Sequence, residues 1–124
     1  MRLLLDSNAL IWWRSGSRRL PRRVAQEIRD PKNDVIVSIV SLWEITIKRA
    51  LRKLDFLEDF EHLLADEEFE LLAISYAHLR SLESLALHHR DPFDRLLIAQ
   101  ATAEGIPIAT GDRRFRTYGV QVVW

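Results

Sequence analysis

The chain has no cysteine, so it can build neither a disulfide framework nor a thiolate metal site. No stretch approaches the roughly 18 consecutive apolar residues of a membrane-spanning helix. Met1 leads directly into a strand-like run, without the basic segment, apolar stretch and cleavage site of a secretory signal. A soluble, cytoplasmic protein is the expectation. Internal repeats, low-complexity tracts and linkers are missing too. The 124 residues are therefore expected to form one domain spanning 1–124. The formal net charge is zero and lysine is scarce, with 3 Lys beside 15 Arg. Arginine favours bidentate recognition of phosphate or carboxylate.

The balanced charge hides strong segregation. Residues 14–23 carry Arg14, Arg18, Arg19, Arg22 and Arg23 without an acid. Residues 55–70 carry Asp55, Glu58, Asp59, Glu61, Asp66, Glu67, Glu68 and Glu70 without Lys or Arg. That run lacks metal-ligand spacing and reads as the solvated side of a helix whose apolar side is Leu57, Phe60 and Leu64. Arg90, Arg95, Arg113, Arg114 and Arg116 make the last third basic again. A neutral total thus leaves room for an anionic partner on one face.

Apolar runs and turn residues alternate along the chain. Strands are expected at 2–5, 35–40, 69–74, 106–110 and 120–124. Helices are expected at 8–13, 21–30, 42–53, 57–66, 76–87 and 94–104. "VIVSIV" at 35–40 is β-branched and does not alternate, as a strand covered on both faces should read. Strands of this kind separated by helices imply a parallel sheet with helices on both sides, joined by right-handed crossovers. Sites in such sheets lie beyond the carboxyl ends of the strands.

Four acids fall at those ends or in the helical turn facing them. Asp6 ends the first strand in "LLLDSNALIWW". It can cap the helix that follows, or it can serve a site. Glu44 matches a capping box with Ser41, yet it shares a helical face with Ile47, Leu51 and Leu54. In "HHRDPFDRLLIAQA", Asp91 and Pro92 read as cap and first helical residue. Asp94 leads the apolar stripe Leu97, Ile98, Ala101. Asp112 follows the fourth strand in "ATGDRRF", as a turn or a cap. One capping acid is ordinary, whereas four on one rim converge on one crevice. Clustered carboxylates repel unless a cation neutralises them, and an all-oxygen set suits Mg²⁺ or Mn²⁺.

The segments "LLLDSNALIW", "VSIVSLWEI", "RDPFDRLLIAQA" and "IATGDRRF" resemble the PIN domain, most closely the VapC toxins of bacterial toxin–antitoxin pairs. The resemblance covers essentially the whole chain. It implies an α/β three-layer sandwich with a five-stranded parallel sheet in order 3-2-1-4-5. It implies a Mg²⁺- or Mn²⁺-dependent endoribonuclease, a homodimer, and inhibition by a small antitoxin protein. It carries the family's acidic quartet onto Asp6, Glu44, Asp94 and Asp112 as metal ligands and catalytic groups. Asp91, Asn8 and Ser41 are expected in supporting positions around them. Arg95, Arg113 and Thr110 are expected to hold backbone phosphates of RNA. His88 and His89 are read as loop residues, because no nearby pair has a metal-ligand spacing. Trp12, Trp13 and Trp43 flank the expected site and can serve packing or a partner groove.

Two other readings remain open. A non-catalytic scaffold could keep the fold. A phosphohydrolase using Asp6 as nucleophile typically needs a second acid two residues on, where this chain has Asn8.

Overall fold

The structure is a computed structural model describing residues 1–124. Its strands are β1 (Arg2–Leu5), β2 (Asp34–Ser38), β3 (Glu70–Leu72), β4 (Ile108–Ala109) and β5 (Val122–Val123). Its helices are α1 (Ser7–Ser15), α2 (Arg22–Arg29), α3 (Ile39–Ala50), α4 (Phe60–Glu67), α5 (Tyr76–Glu83) and α6 (Pro92–Glu104). A 3₁₀ turn spans Arg113–Tyr118. All strand pairs are parallel, as the alternation of apolar strands and helices predicts, and the order is β3-β2-β1-β4-β5, as the resemblance to the PIN domain implies.

Alternation along each strand sorts the core into two halves. Leu3, Leu5, Val35 and Val37 pack with Leu10, Val24, Ile28 and Leu63 from α1, α2 and α4. Leu4, Ile36 and Ile108 point the other way, onto Leu97, Ile98 and Ala101 of α6 and onto Phe115. The sheet is thus covered on both faces, which makes three layers. Truncating a fully buried member such as Leu4 to alanine should cost about 2–5 kcal/mol.

Several boundaries differ from the expectation. Strand β2 stops at Ser38 rather than residue 40, because Ser38 turns the chain and caps α3. Its Oγ accepts the Val40 amide at 3.0 Å and donates to Gln100. The run "VIVSIV" hides this break, since β-branched residues continue into the helix's first turn. The expected Ser41–Glu44 capping box is therefore absent. Ser41 lies inside α3 with its buried hydroxyl unpartnered. Helix α3 ends at Ala50 and buries Leu42 and Ile45, while Leu51 is exposed. Helix α4 begins at Phe60 after the Asp59 cap, so Leu57 is exposed and Leu63 enters the core instead. Strand β3 is a three-residue edge strand, with Glu70 and Leu71 exposed.

The register sets the site. Leu5 pairs with Val37 on one side and Ala109 on the other. Asp6, Ser38 and Thr110 are the next residues, so they stand abreast at the carboxyl rim. The Asp6 amide donates to the Ala109 carbonyl at 3.1 Å, which keeps the two central strands joined up to that rim.

Candidate metal centre

A cleft of about 670 Å³ opens at this rim, at the switch point between β1 and β4. Asp6, Glu44, Asp91, Asp94 and Asp112 all line it, as do Asn8, Ser7, Arg19, Lys48, Arg114 and the indoles of Trp12 and Trp124. The four acids singled out in the sequence thus reach one pocket from four separate segments.

Each acid is placed by local structure. Asp6 is buried and caps α1, its Oδ1 accepting the Ala9 amide at 2.7 Å. Asp91 caps α6 by accepting the Asp94 amide at 3.0 Å, and Pro92 takes the first helical position. That leaves Asp94 one turn inside, its carboxylate at the end of the buried Leu97–Ile98–Ala101 stripe. Asp112 caps the 3₁₀ turn and is gripped by Arg114, whose Nε and terminal nitrogen donate to its two oxygens at 3.0 and 2.9 Å. In Asp6 and Asp91 capping and site roles therefore coexist, because the cap uses one oxygen and leaves the second. Glu44 accepts the Ser7 hydroxyl at 2.6 Å and the Lys48 ammonium at 2.9 Å. It is buried and tied to both α1 and its own helix.

His89 is the site residue that the sequence reading missed. Only about 3 % of it is exposed. Its Nε2 lies 2.9 Å from Asp94 Oδ2 and 3.2 Å from Asp112 Oδ2. One ligand atom each of His89, Asp94 and Asp112 falls within 4.8 Å of the others. The available signal was its place two residues before a helix cap, which aims a loop side chain back across the helix start. His88 does stay in the loop, its ring edge-on to Tyr118.

Three expected phosphate-binding residues lie elsewhere. Thr110 is buried, and its hydroxyl accepts the Asp112 amide at 3.1 Å, so it braces the site from behind. Arg95 turns away from the cleft and donates to the carbonyls of Leu85, Ala86 and His89. Arg113 is exposed and outside the cleft lining, where Arg114, Arg19 and Lys48 supply the positive charge.

The electrostatics are unbalanced. Burial pushes Asp6 up to about 6; hydrogen bonds from Thr110 and the Ala9 amide oppose this, while Glu44 and Asp112 add repulsion. Burial likewise pushes Asp94 up to about 7, reinforced by Asp91, Glu44 and Asp112 and opposed by His89. Asp112 moves the other way, down to about 2, because Arg114 holds it in the charged form. The nearby cations thus pair with Asp112 and Glu44 and leave Asp6 and Asp94 short of positive charge. Hard oxygen donors with that deficit fit a divalent cation such as Mg²⁺ or Mn²⁺. Asp6, Glu44, Asp94 and Asp112 are the residues that would hold it.

Solved structures share this architecture. VapBC2 from Rickettsia felis, solved bound to a promoter DNA fragment, aligns with TM-score 0.70 and 14 % identity over 99 % of this chain and 98 % of that one. VapBC-1 from nontypeable Haemophilus influenzae aligns with TM-score 0.69 and 16 % identity over 99 % and 97 %. FitAcB from Neisseria gonorrhoeae aligns with TM-score 0.65 and 20 % identity over 98 % and 96 %. At these identities the likeness establishes the fold. No curated protein matches the chain. Membership comes from the sequence itself, whose residues 3–121 match the PIN domain from the first strand to the threshold of the last, and this chain therefore belongs to the PIN domain family.

Proposed function

We propose that this chain is the toxin of a toxin–antitoxin pair, an endoribonuclease that hydrolyses RNA phosphodiesters with Mg²⁺ or Mn²⁺. The observation that carries the reading is the convergence of Asp6, Glu44, Asp94 and Asp112 on one cleft of a PIN-family fold. Two of these carboxyls are charge-deficient, as a cation site requires. The fold likeness to VapBC and FitAcB structures supports the toxin assignment.

When bound, the divalent ion supplies Lewis acidity and lowers the pKa of water. The rest of the chemistry belongs to the chain. Asp6 and Asp94 would hold the cation, with Asp112 and Glu44 completing the set. Glu44 orients the attacking water, with its own carboxylate fixed by Ser7 and Lys48. Arg114, Lys48 and Arg19 stand around the acids and attract the phosphates that flank the scissile bond. The reaction leaves a 5′-phosphate and a 3′-hydroxyl. The chain acts as a homodimer held in check by its antitoxin. Trp43 is half exposed, edge-on to Phe93, and Trp12 and Trp13 are partly buried on α1, all available to such contacts.

The test is inducible expression of the wild type beside Asp6→Asn, with growth and RNA ends followed. Asparagine can still cap α1, so the variant should fold. The wild type should arrest growth and generate new RNA ends, and Asp6→Asn should do neither. Identical RNA profiles from the two proteins would remove the nuclease assignment.

A further inference from the structure

Metal-site chemistry makes a buried histidine beside two carboxylates look like a third ligand. The hydrogen bonds around His89 argue otherwise. The Asp91 amide donates to Nδ1 at 3.2 Å, so Nδ1 presents its lone pair and cannot carry the proton in that bond. A neutral imidazole has one N–H, which must then sit on Nε2. Nε2 faces an oxygen of Asp94 at 2.9 Å and an oxygen of Asp112 at 3.2 Å. A bare lone pair aimed at two carboxylate oxygens would be repulsive, whereas an N–H is attracted to both. A protonated nitrogen offers nothing to a cation.

We propose that His89 is a positioning residue whose Nε2–H bridges Asp94 and Asp112, holding the two carboxylates side by side without itself binding metal. The ring is locked for this task. Its backbone amide donates to the Tyr118 hydroxyl at 2.7 Å, and its carbonyl accepts from Arg95. The imidazole packs edge-on to Phe115, with ring centres 6.1 Å apart. The Asp91 amide is fixed because the Asp91 side chain caps α6. Arg95 thus acts on the site through the loop it ties down. The bridge occupies Oδ2 of Asp94 and leaves its Oδ1 for a cation. This consequence for metal affinity rests on the nuclease reading, while the bridge itself is a property of the chain alone. Groups that hydrogen-bond metal-binding carboxylates commonly set affinity by about 10–100-fold.

The decisive measurement is a long-range proton–nitrogen spectrum of the imidazole nitrogens in the whole protein, without and then with Mg²⁺. His89 should carry its proton on Nε2 in both. A bare Nε2, or one stripped of its proton as Mg²⁺ is added, overturns the bridge. In parallel, Mn²⁺ affinity is measured by calorimetry for wild type, His89→Ala and His89→Gln. His89→Ala should bind Mn²⁺ about 10–100-fold more weakly, and His89→Gln, which restores an N–H donor, should recover most of the loss. If His89→Ala fails to fold, His89→Gln and the spectrum still decide. Unchanged Mn²⁺ affinity in a folded His89→Ala would overturn the proposal, because a ring that only packs on Phe115 would alter Tm alone. Wild type that binds no Mn²⁺ counts against the nuclease assignment instead, and the spectrum then judges the bridge by itself.

Discussion

Two acidic clusters sit in this molecule and behave oppositely. In one, Arg14 of α1 reaches Glu58, Asp66 and Glu67 at 2.8, 2.5 and 3.1 Å, tying the start and end of the α4 region to α1. Asp66 is held below the usual carboxylate range by that guanidinium. In the other, Asp6 and Asp94 are pushed above it by burial. The residue types are the same. The first cluster brings its own cation and stays near solvent, so its charges are settled within the chain. The second is recessed in a cleft where Arg114 pairs with Asp112 and Lys48 with Glu44, which leaves Asp6 and Asp94 without an Arg or Lys partner. An acid cluster points to a metal when its charge is left uncompensated, and mere density of acids along the chain says little.

The largest expected effect separates the clusters by function. Asp94→Asn should reduce RNA cleavage by on the order of 100-fold or more and abolish Mn²⁺ binding, while Asp66→Asn should leave both intact. Cleavage of a total-RNA substrate and calorimetry check this pair. Loss of activity in Asp66→Asn would erase the distinction.

The second effect is pH dependence, of opposite sign in the two places. Asp94 and Asp6 keep protons in the folded chain up to about pH 7 and about pH 6, whereas the unfolded chain releases them near pH 4. Folding stability from these groups therefore falls as pH rises through that window. Asp94→Asn should raise Tm over wild type, and by more at pH 8 than at pH 5. Asp66, depressed by Arg14, contributes stability above its unfolded pKa that disappears as pH falls into the acid range. Thermal melts of both variants across pH 3–8 give the comparison.

Arg14→Ala should lower Tm, with an effect that shrinks in high salt, and leave Mn²⁺ affinity within about twofold. The smallest change is expected from Gly111→Ala on the cleft wall. A Cβ there would lie 2.8 Å from the Trp124 ring, which must give way. Tryptophan fluorescence should shift while cleavage persists.

The fold was legible because its signals are local or periodic. Apolar runs such as "LLL" and "VIV" gave the parallel sheet, and "DPFD" marked the start of α6 through cap and proline chemistry. The acidic quartet was legible because strand ends in such a sheet share one rim. What escaped depended on choices between neighbours. Ser38 rather than Ser41 caps α3, since only the register of β2 decides where the strand ends. Arg114, and not the expected phosphate ligand Arg113, lies in the cleft, where it grips Asp112, since the 3₁₀ turn sets which side chain points inward. Arg95 looked like a phosphate ligand and instead holds the loop before α6. His89 looked like a loop residue and instead stands between two carboxylates.

The sequence by itself determined the alternation of strands and helices, the parallel sheet it implies and the placing of four carboxylates at one edge, because hydrophobic spacing and backbone capping act over a few residues; the strand order followed from the resemblance to the PIN domain. Only the tertiary structure decided which of those charges are compensated and which histidine or arginine meets them. That outcome depends on burial and on distances between segments far apart in the chain, and neither is written in any local pattern.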